Sequence, residues 1–150
     1  MIDKTNIEKL VSDYISGTAI FKVKVTVSTG NKIKVLVNKK DGISIDECVS
    51  LSKHIEANLD RELEDFDLQV SSPGLGEALL VPEQYEMVIG RTIEVLDDKG
   101  QKHRGILKEF SGPGFIMETT VRHKGKKKET ADISFNINEV ISVKEKISFK

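Results

Sequence analysis

Residues 67–80 read DLQVSSPGLGEALL, and they decide where one folded unit gives way to another. Phe66, Leu68 and Val70 alternate with Asp67 and Gln69, a period of two that predicts a strand with one buried face. The strand runs into Ser71-Ser72-Pro73-Gly74, residue types that turn a chain. Three readings compete for this turn: a nucleophile site, a phosphate cradle or a joint between domains. The Gly-x-Ser-x-Gly pattern of a nucleophile elbow is absent. An activated serine also needs a base held by a third group, and His54, His103 and His123 fall in charged or polar segments. SPGLGE lacks the Lys-Ser/Thr ending of a phosphate-binding loop. Residue chemistry alone favours serines that satisfy backbone groups at a strand end while Pro73-Gly74 turns the chain.

Upstream, TNIEKLVSDYISG places Thr5 and Glu8 at capping-box spacing, with Ile7, Leu10, Val11, Tyr14 and Ile15 at helical intervals and Gly17 as the stop. Phe21, Val23, Val25 and Val27 then alternate with Lys22, Lys24 and Thr26. Ile33, Val35 and Val37 repeat the pattern after Thr29-Gly30-Asn31, which predicts a β-hairpin with one buried face. Ser44 and Glu47 form a second capping-box pattern, ahead of an apolar stripe at Cys48, Leu51, Ile55 and Leu59. The predicted order is α-β-β-α-β, an α+β N-terminal domain with two helices on one sheet.

Beyond Pro82 the segments shorten. Tyr85–Gly90 reads as a helical turn. Apolar groups at Ile93/Val95, Ile106-Leu107, Phe115–Met117, Ile133/Phe135 and Val140–Val143 are separated by turn residues. That spacing predicts an all-β small barrel, in which closure removes exposed sheet edges. The expected division is residues 1–81 and 82–150, with Pro73 and Pro82 stiffening the connection.

The 150 residues carry a net charge of −1, which hides local extremes. Glu56–Asp67 is acidic and reads as a solvated helix end and loop, or as a dock for a basic partner. Arg122, Lys124, Lys126, Lys127 and Lys128 cluster around Gly125, either as a contact for RNA phosphates or as a solvated hairpin tip. With few aromatics nearby, backbone contact with folded RNA suits the cluster better than base stacking. No apolar run approaches the ~20 residues that span a bilayer. A lone cysteine, Cys48, and three scattered histidines offer no metal spacing. No catalytic residue, cofactor or metal is expected, and the expected compartment is the cytoplasm.

DGISIDECVSLSKHIEANLD (41–60) followed by FDLQVSSPGLGEALL (66–80) and a small β domain resembles the bacterial ribosome maturation factor family RimP. Asp41-Gly42, Glu47-Cys48 and VSSPGL at Val70–Leu75 carry the resemblance. It implies that the second domain is an Sm-like, SH3-type barrel. It also implies a non-enzymatic, monomeric factor that binds the immature small ribosomal subunit and promotes its assembly. The implied partners are small-subunit ribosomal RNA and ribosomal proteins, notably protein twelve of that subunit. Where the family usually continues Asp-Arg-Pro-Leu, this chain has Gly76-Glu77-Ala78-Leu79, so a contact made through that arginine does not carry over. On this reading Ser71, Ser72, Pro73, Gly74 and Leu75 are an interdomain motif. The alternative is a protein-interaction adaptor without RNA contact.

Overall fold

The period-two alternation of the first hairpin has one consequence that organises everything around it: every second side chain must find cover. In the computed structural model, which describes residues 2–74, 76–121, 125 and 129–146, that cover is two helices. β1 (Phe21–Ser28) and β2 (Lys32–Asn38) pair antiparallel, and β3 (Asp67–Ser71) lies parallel to β2, giving the order β1-β2-β3. Val25, Ile33, Val35 and Val37 are buried on one face. They pack with Ile7 and Val11 of α1 (Lys4–Ile15) and with Cys48, Leu51 and Ile55 of α2 (Ile45–Ala57). The helices come from the sequence pattern, because their apolar residues recur on one stripe.

The two helix starts differ. At α2 the expected capping box forms: the Ser44 hydroxyl accepts the Glu47 N–H, and the Glu47 carboxylate accepts the Ser44 N–H, each at 3.1 Å. At α1 the cap is Asp3, whose carboxylate accepts the Thr5 N–H at 3.0 Å, so the Thr5/Glu8 box does not form. A carboxylate there also faces the positive end of the helix dipole. Glu8 instead meets Lys22 of β1 at 3.3 Å.

The hairpin turn does more than reverse the chain. Asn31 has a φ of +55°, a left-handed conformation that asparagine tolerates better than most residues. Its side-chain oxygen accepts the Ile2 N–H at 2.9 Å, and its amide donates to the Asp65 carbonyl at 3.0 Å and to Glu64 at 3.3 Å. Its own carbonyl accepts the Asp67 N–H at 3.0 Å, at the first residue of β3. One residue thus ties the chain start, the hairpin and the entry to β3. Phe66, next to that entry, is buried, and the Arg61 guanidinium lies 3.9 Å from its ring centre.

The second unit has its own core. The structure divides into compact units at Met1–Pro73 and Gly74–Lys150, against the division after Val81 expected from sequence. Residues 74–81 go with the second unit for a backbone reason: Ala78 bridges Lys144, and the Leu79 N–H donates to the Val143 carbonyl at 2.8 Å. A short helix, α3 (Pro82–Met87), follows. Five antiparallel strands come next: β4 (Thr92–Asp97), β5 (Lys102–Phe110), β6 (Gly114–Val121), β7 (Glu129–Asn136) and β8 (Val140–Glu145). Their order is β7-β6-β5-β4-β8, so the last strand returns to the first. Tyr85, Val88, Ile93, Val95, Leu107, Phe115, Met117 and Val143 form the core, with the Tyr85 and Phe110 rings stacked at 4.6 Å.

Two residues there have structural roles that periodicity does not reveal. Gln84 is buried, and its side-chain oxygen accepts the N–H groups of Leu80 at 2.6 Å and Val81 at 3.2 Å. Gly105 sits where a Cβ would lie 2.3 Å from the Glu118 carbonyl oxygen, so β5 and β6 approach too closely for any side chain.

Replacing Asn31 with alanine is expected to destabilise the fold by about 2 kcal/mol, from lost hydrogen bonds and a strained φ. Asn31→Gly, which relieves the strain, should cost less. Urea denaturation followed by far-ultraviolet circular dichroism measures both, and an unchanged midpoint for Asn31→Ala would refute the role assigned to this turn.

Candidate nucleic-acid interface

The basic cluster predicted from sequence follows β6 and precedes β7, which pair antiparallel. Val121 of β6 pairs with Glu129 of β7, and Gly125 between them has a φ of +78°, a conformation that glycine adopts freely. Arg122, Lys124, Lys126, Lys127 and Lys128 lie outside the described residues. In the sequence they fall between the last residue of β6 and the first of β7.

Three other cations of the second unit, Arg91, Arg104 and Lys108, are held in ion pairs among the described residues. Arg104 lies 3.7 Å from Glu94, and Arg91 lies 3.0 Å from Glu145. Lys108 sits 3.4 Å from Glu118 and 3.3 Å from Asp132. The hydrogen bond that Lys108 donates to Asp132 leads in pushing its ammonium above the ordinary pKa, and Glu118 adds to it. These exposed pairs contribute little to stability, but they neutralise the sheet surface locally.

The Ser71–Leu75 stretch, expected from sequence to be an interdomain motif, is described in part. Ser71 closes β3 opposite Leu36, and Ser72, Pro73 and Gly74 follow in irregular backbone. Gly74 accepts a turn bond from the Glu77 N–H at 3.3 Å, while Leu75 lies outside the described residues. Two of the histidines considered as partners for these serines, His54 and His103, are engaged elsewhere. His54 packs against the Tyr14 ring at 4.9 Å. The His103 Nε2 lies 2.9 Å from Asp97 Oδ2, and its ring meets Phe135 edge-on. His123 lies outside the described residues.

The Asp97–His103 pair has the look of a catalytic dyad, but the geometry makes it a turn clamp. The Asp97 carboxylate also accepts the N–H groups of Lys99 at 2.9 Å and Gln101 at 2.8 Å, holding the turn between β4 and β5. Those bonds, led by the one with His103, hold its pKa below the ordinary aspartate value of 3.8. Cys48 is buried in the first core. Burial pushes its thiol pKa up, and the neighbouring Glu47 carboxylate adds in the same direction. The thiol is therefore neutral near pH 7 and acts as a small apolar group.

Because the Asp97 pKa is lowered in the folded state, its contribution is present above the unfolded value and is lost as pH falls through the folded one. Asp97→Asn should destabilise the protein at pH 7 and by a smaller margin at about pH 3, below the ordinary aspartate value, where part of the carboxylate's contribution is already lost. Chemical denaturation at the two pH values tests this, and an equal penalty at both would contradict it.

Residues 7–76 match the family described as the RimP N-terminal domain. Over 145 residues the chain is 38% identical to the ribosome maturation factor RimP of Porphyromonas gingivalis, covering 93% of this chain and 95% of that protein. It is 30% identical to RimP of Christiangramia forsetii over 151 residues, covering 97% and 99%. It is 31% identical to RimP of Pelodictyon phaeoclathratiforme over 143 residues, covering 83% of each.

Proposed function

The chain belongs to the RimP family, and from that premise we propose that it is a non-enzymatic factor that binds the immature small ribosomal subunit and promotes its assembly. The observation that carries the proposal is the extent of the likeness. It runs through both folded units of this chain and nearly the full length of proteins named as ribosome maturation factors. No helix among the described residues is long and apolar enough to cross a membrane, which accords with work on ribosomal particles in the cytoplasm.

The proposed contacts are divided between the units. The hairpin tip with Arg122, Lys124, Lys126, Lys127 and Lys128 meets ribosomal RNA through phosphates, and ribosomal proteins, notably protein twelve of the small subunit, complete the dock. The second unit is read as an Sm-like, SH3-type barrel. Its strand order, in which the final strand β8 pairs with the first strand β4, supports that reading without requiring ring closure. Ser71–Leu75 is read as the joint. Two weak contacts on one chain reinforce each other through effective concentration, provided that the connection lets both engage.

The protein should co-sediment with free small subunits and less with assembled ribosomes. If about three phosphates are neutralised, log K should fall against log salt with a slope near −2 to −3. Co-sedimentation with a nearly flat slope would favour an adaptor that touches protein only, and failure to co-sediment would remove the assembly role.

The joint has a separate test in Pro73→Ala combined with Gly74→Ala. A Cβ on Gly74 would meet Glu77 Cγ at 3.4 Å, an ordinary contact, so both units should stay folded. The expected result is weaker binding to small subunits with an unchanged melting profile. Unchanged binding would refute the joint.

A further inference from the structure

The sheet of the first unit has two faces, and only one has been accounted for. The register sets the other as a three-by-three grid. Ser28, Lys32 and Asp67 form one row, Thr26, Lys34 and Gln69 the next, and Lys24, Leu36 and Ser71 the third. Both helices pack on the opposite face. Lys24, Lys32 and Lys34 are exposed, and none makes an ion pair with a described residue. Lys32 and Lys34 are separated by about 7 Å along one strand. Lys24 is diagonal to Lys34, at about 7–8 Å. One carboxylate, Asp67, stands against the three ammonium groups.

Unpaired lysines occur elsewhere among the described residues, Lys99 and Lys102 for example, but here three of them share one face set by the strand register. Lys22, Lys39, Arg61, Arg91, Arg104 and Lys108 all lie within ion-pair distance of a carboxylate. A face that served only to keep the sheet soluble would do so with both signs interspersed, as β4–β7 do. Thr26 and Gln69 flank Lys34 in the same row, and their hydroxyl and amide groups can donate hydrogen bonds to phosphate oxygens. The nine residues of the grid include no aromatic ring on which a base could stack; Phe21, paired with Asn38, stands one row beyond it.

We propose that this open sheet face, through Lys24, Lys32 and Lys34, binds the phosphate backbone of folded RNA. The inference rests on the assembly-factor reading for the RNA's identity as ribosomal. It adds a second RNA contact, in the first unit. Recognition there follows backbone shape and charge and leaves base sequence unread.

The test compares the full chain with the triple variant Lys24→Gln, Lys32→Gln, Lys34→Gln, and with the triple variant carrying arginine at the same positions. Binding to small-subunit ribosomal RNA transcribed in vitro is followed by fluorescence anisotropy between 50 and 200 mM potassium chloride. At about 100 mM salt the glutamine variant should bind about ten-fold more weakly, with a slope of log K against log salt shallower by about 2 to 3. The arginine variant should bind as the parent does. Parental affinity and slope in the glutamine variant would overturn the proposal.

Co-sedimentation with assembly intermediates separates the two readings. A glutamine variant that leaves the particle yet still binds free RNA as the parent does would mean that the face docks a protein, which also overturns the proposal. If the parent binds RNA through these lysines but never associates with small subunits, the sheet contact stands and the assembly role fails.

Discussion

One-sided burial of the first sheet is the constraint from which the rest of the N-terminal unit follows. Val25, Ile33, Val35 and Val37 are nearly or fully excluded from solvent, and a slip of one residue in pairing would exchange them for lysines. Burying an unpaired ammonium costs far more than burying a valine gains, so the register has no close competitor. The helices contribute the matching surface through Ile7, Val11, Leu51 and Ile55, each fully buried. The same rule that drives the valines under the helices drives Lys24, Lys32 and Lys34 to the outside. The charged face is a by-product of the core, available for whatever a polyanion can use.

The second unit solves a different problem. A run of short strands leaves edges, and the chain handles one of them by bringing β8 back beside β4. That return also captures the segment after the serine-proline turn, through Ala78 and Leu79 against Lys144 and Val143. Gln84 then holds Leu80 and Val81 from inside. Where the family usually carries arginine and proline, this chain has Glu77 and Ala78, and Gly76 before them adopts a φ of +77°. Backbone bonding to β8 fixes a segment that a proline would have stiffened locally.

These arrangements bear on function through charge. On β5, Arg104 and Lys108 are held in ion pairs, which makes these two poor candidates for phosphate binding. Cations without partners are what a phosphate backbone requires, because contact with RNA gains from counterion release only when the charge is not already neutralised. In the first unit they stand on a rigid sheet, fixed by the strand register.

The order α-β-β-α-β, the capping box at Ser44, the buried stripe of α2 and the five strands beyond Pro82 are all legible in the sequence, because each rests on contacts between residues near in the chain or on a simple period. The resemblance carried by VSSPGL and DGISIDEC identifies the family for the same reason: it is a local pattern. What only the tertiary structure decides involves residues far apart. Asn31 reaches Ile2 and Asp65, Gly105 makes room for the backbone at Glu118, and Ala78 joins the second unit through Lys144. The Thr5/Glu8 spacing suggests a cap that Asp3 takes instead, since Glu8 finds Lys22 on a neighbouring strand. The lysine face has the same origin. Its alternation is visible in one dimension, but its three rows exist only once β3 lies beside β2 and the helices have chosen the other side.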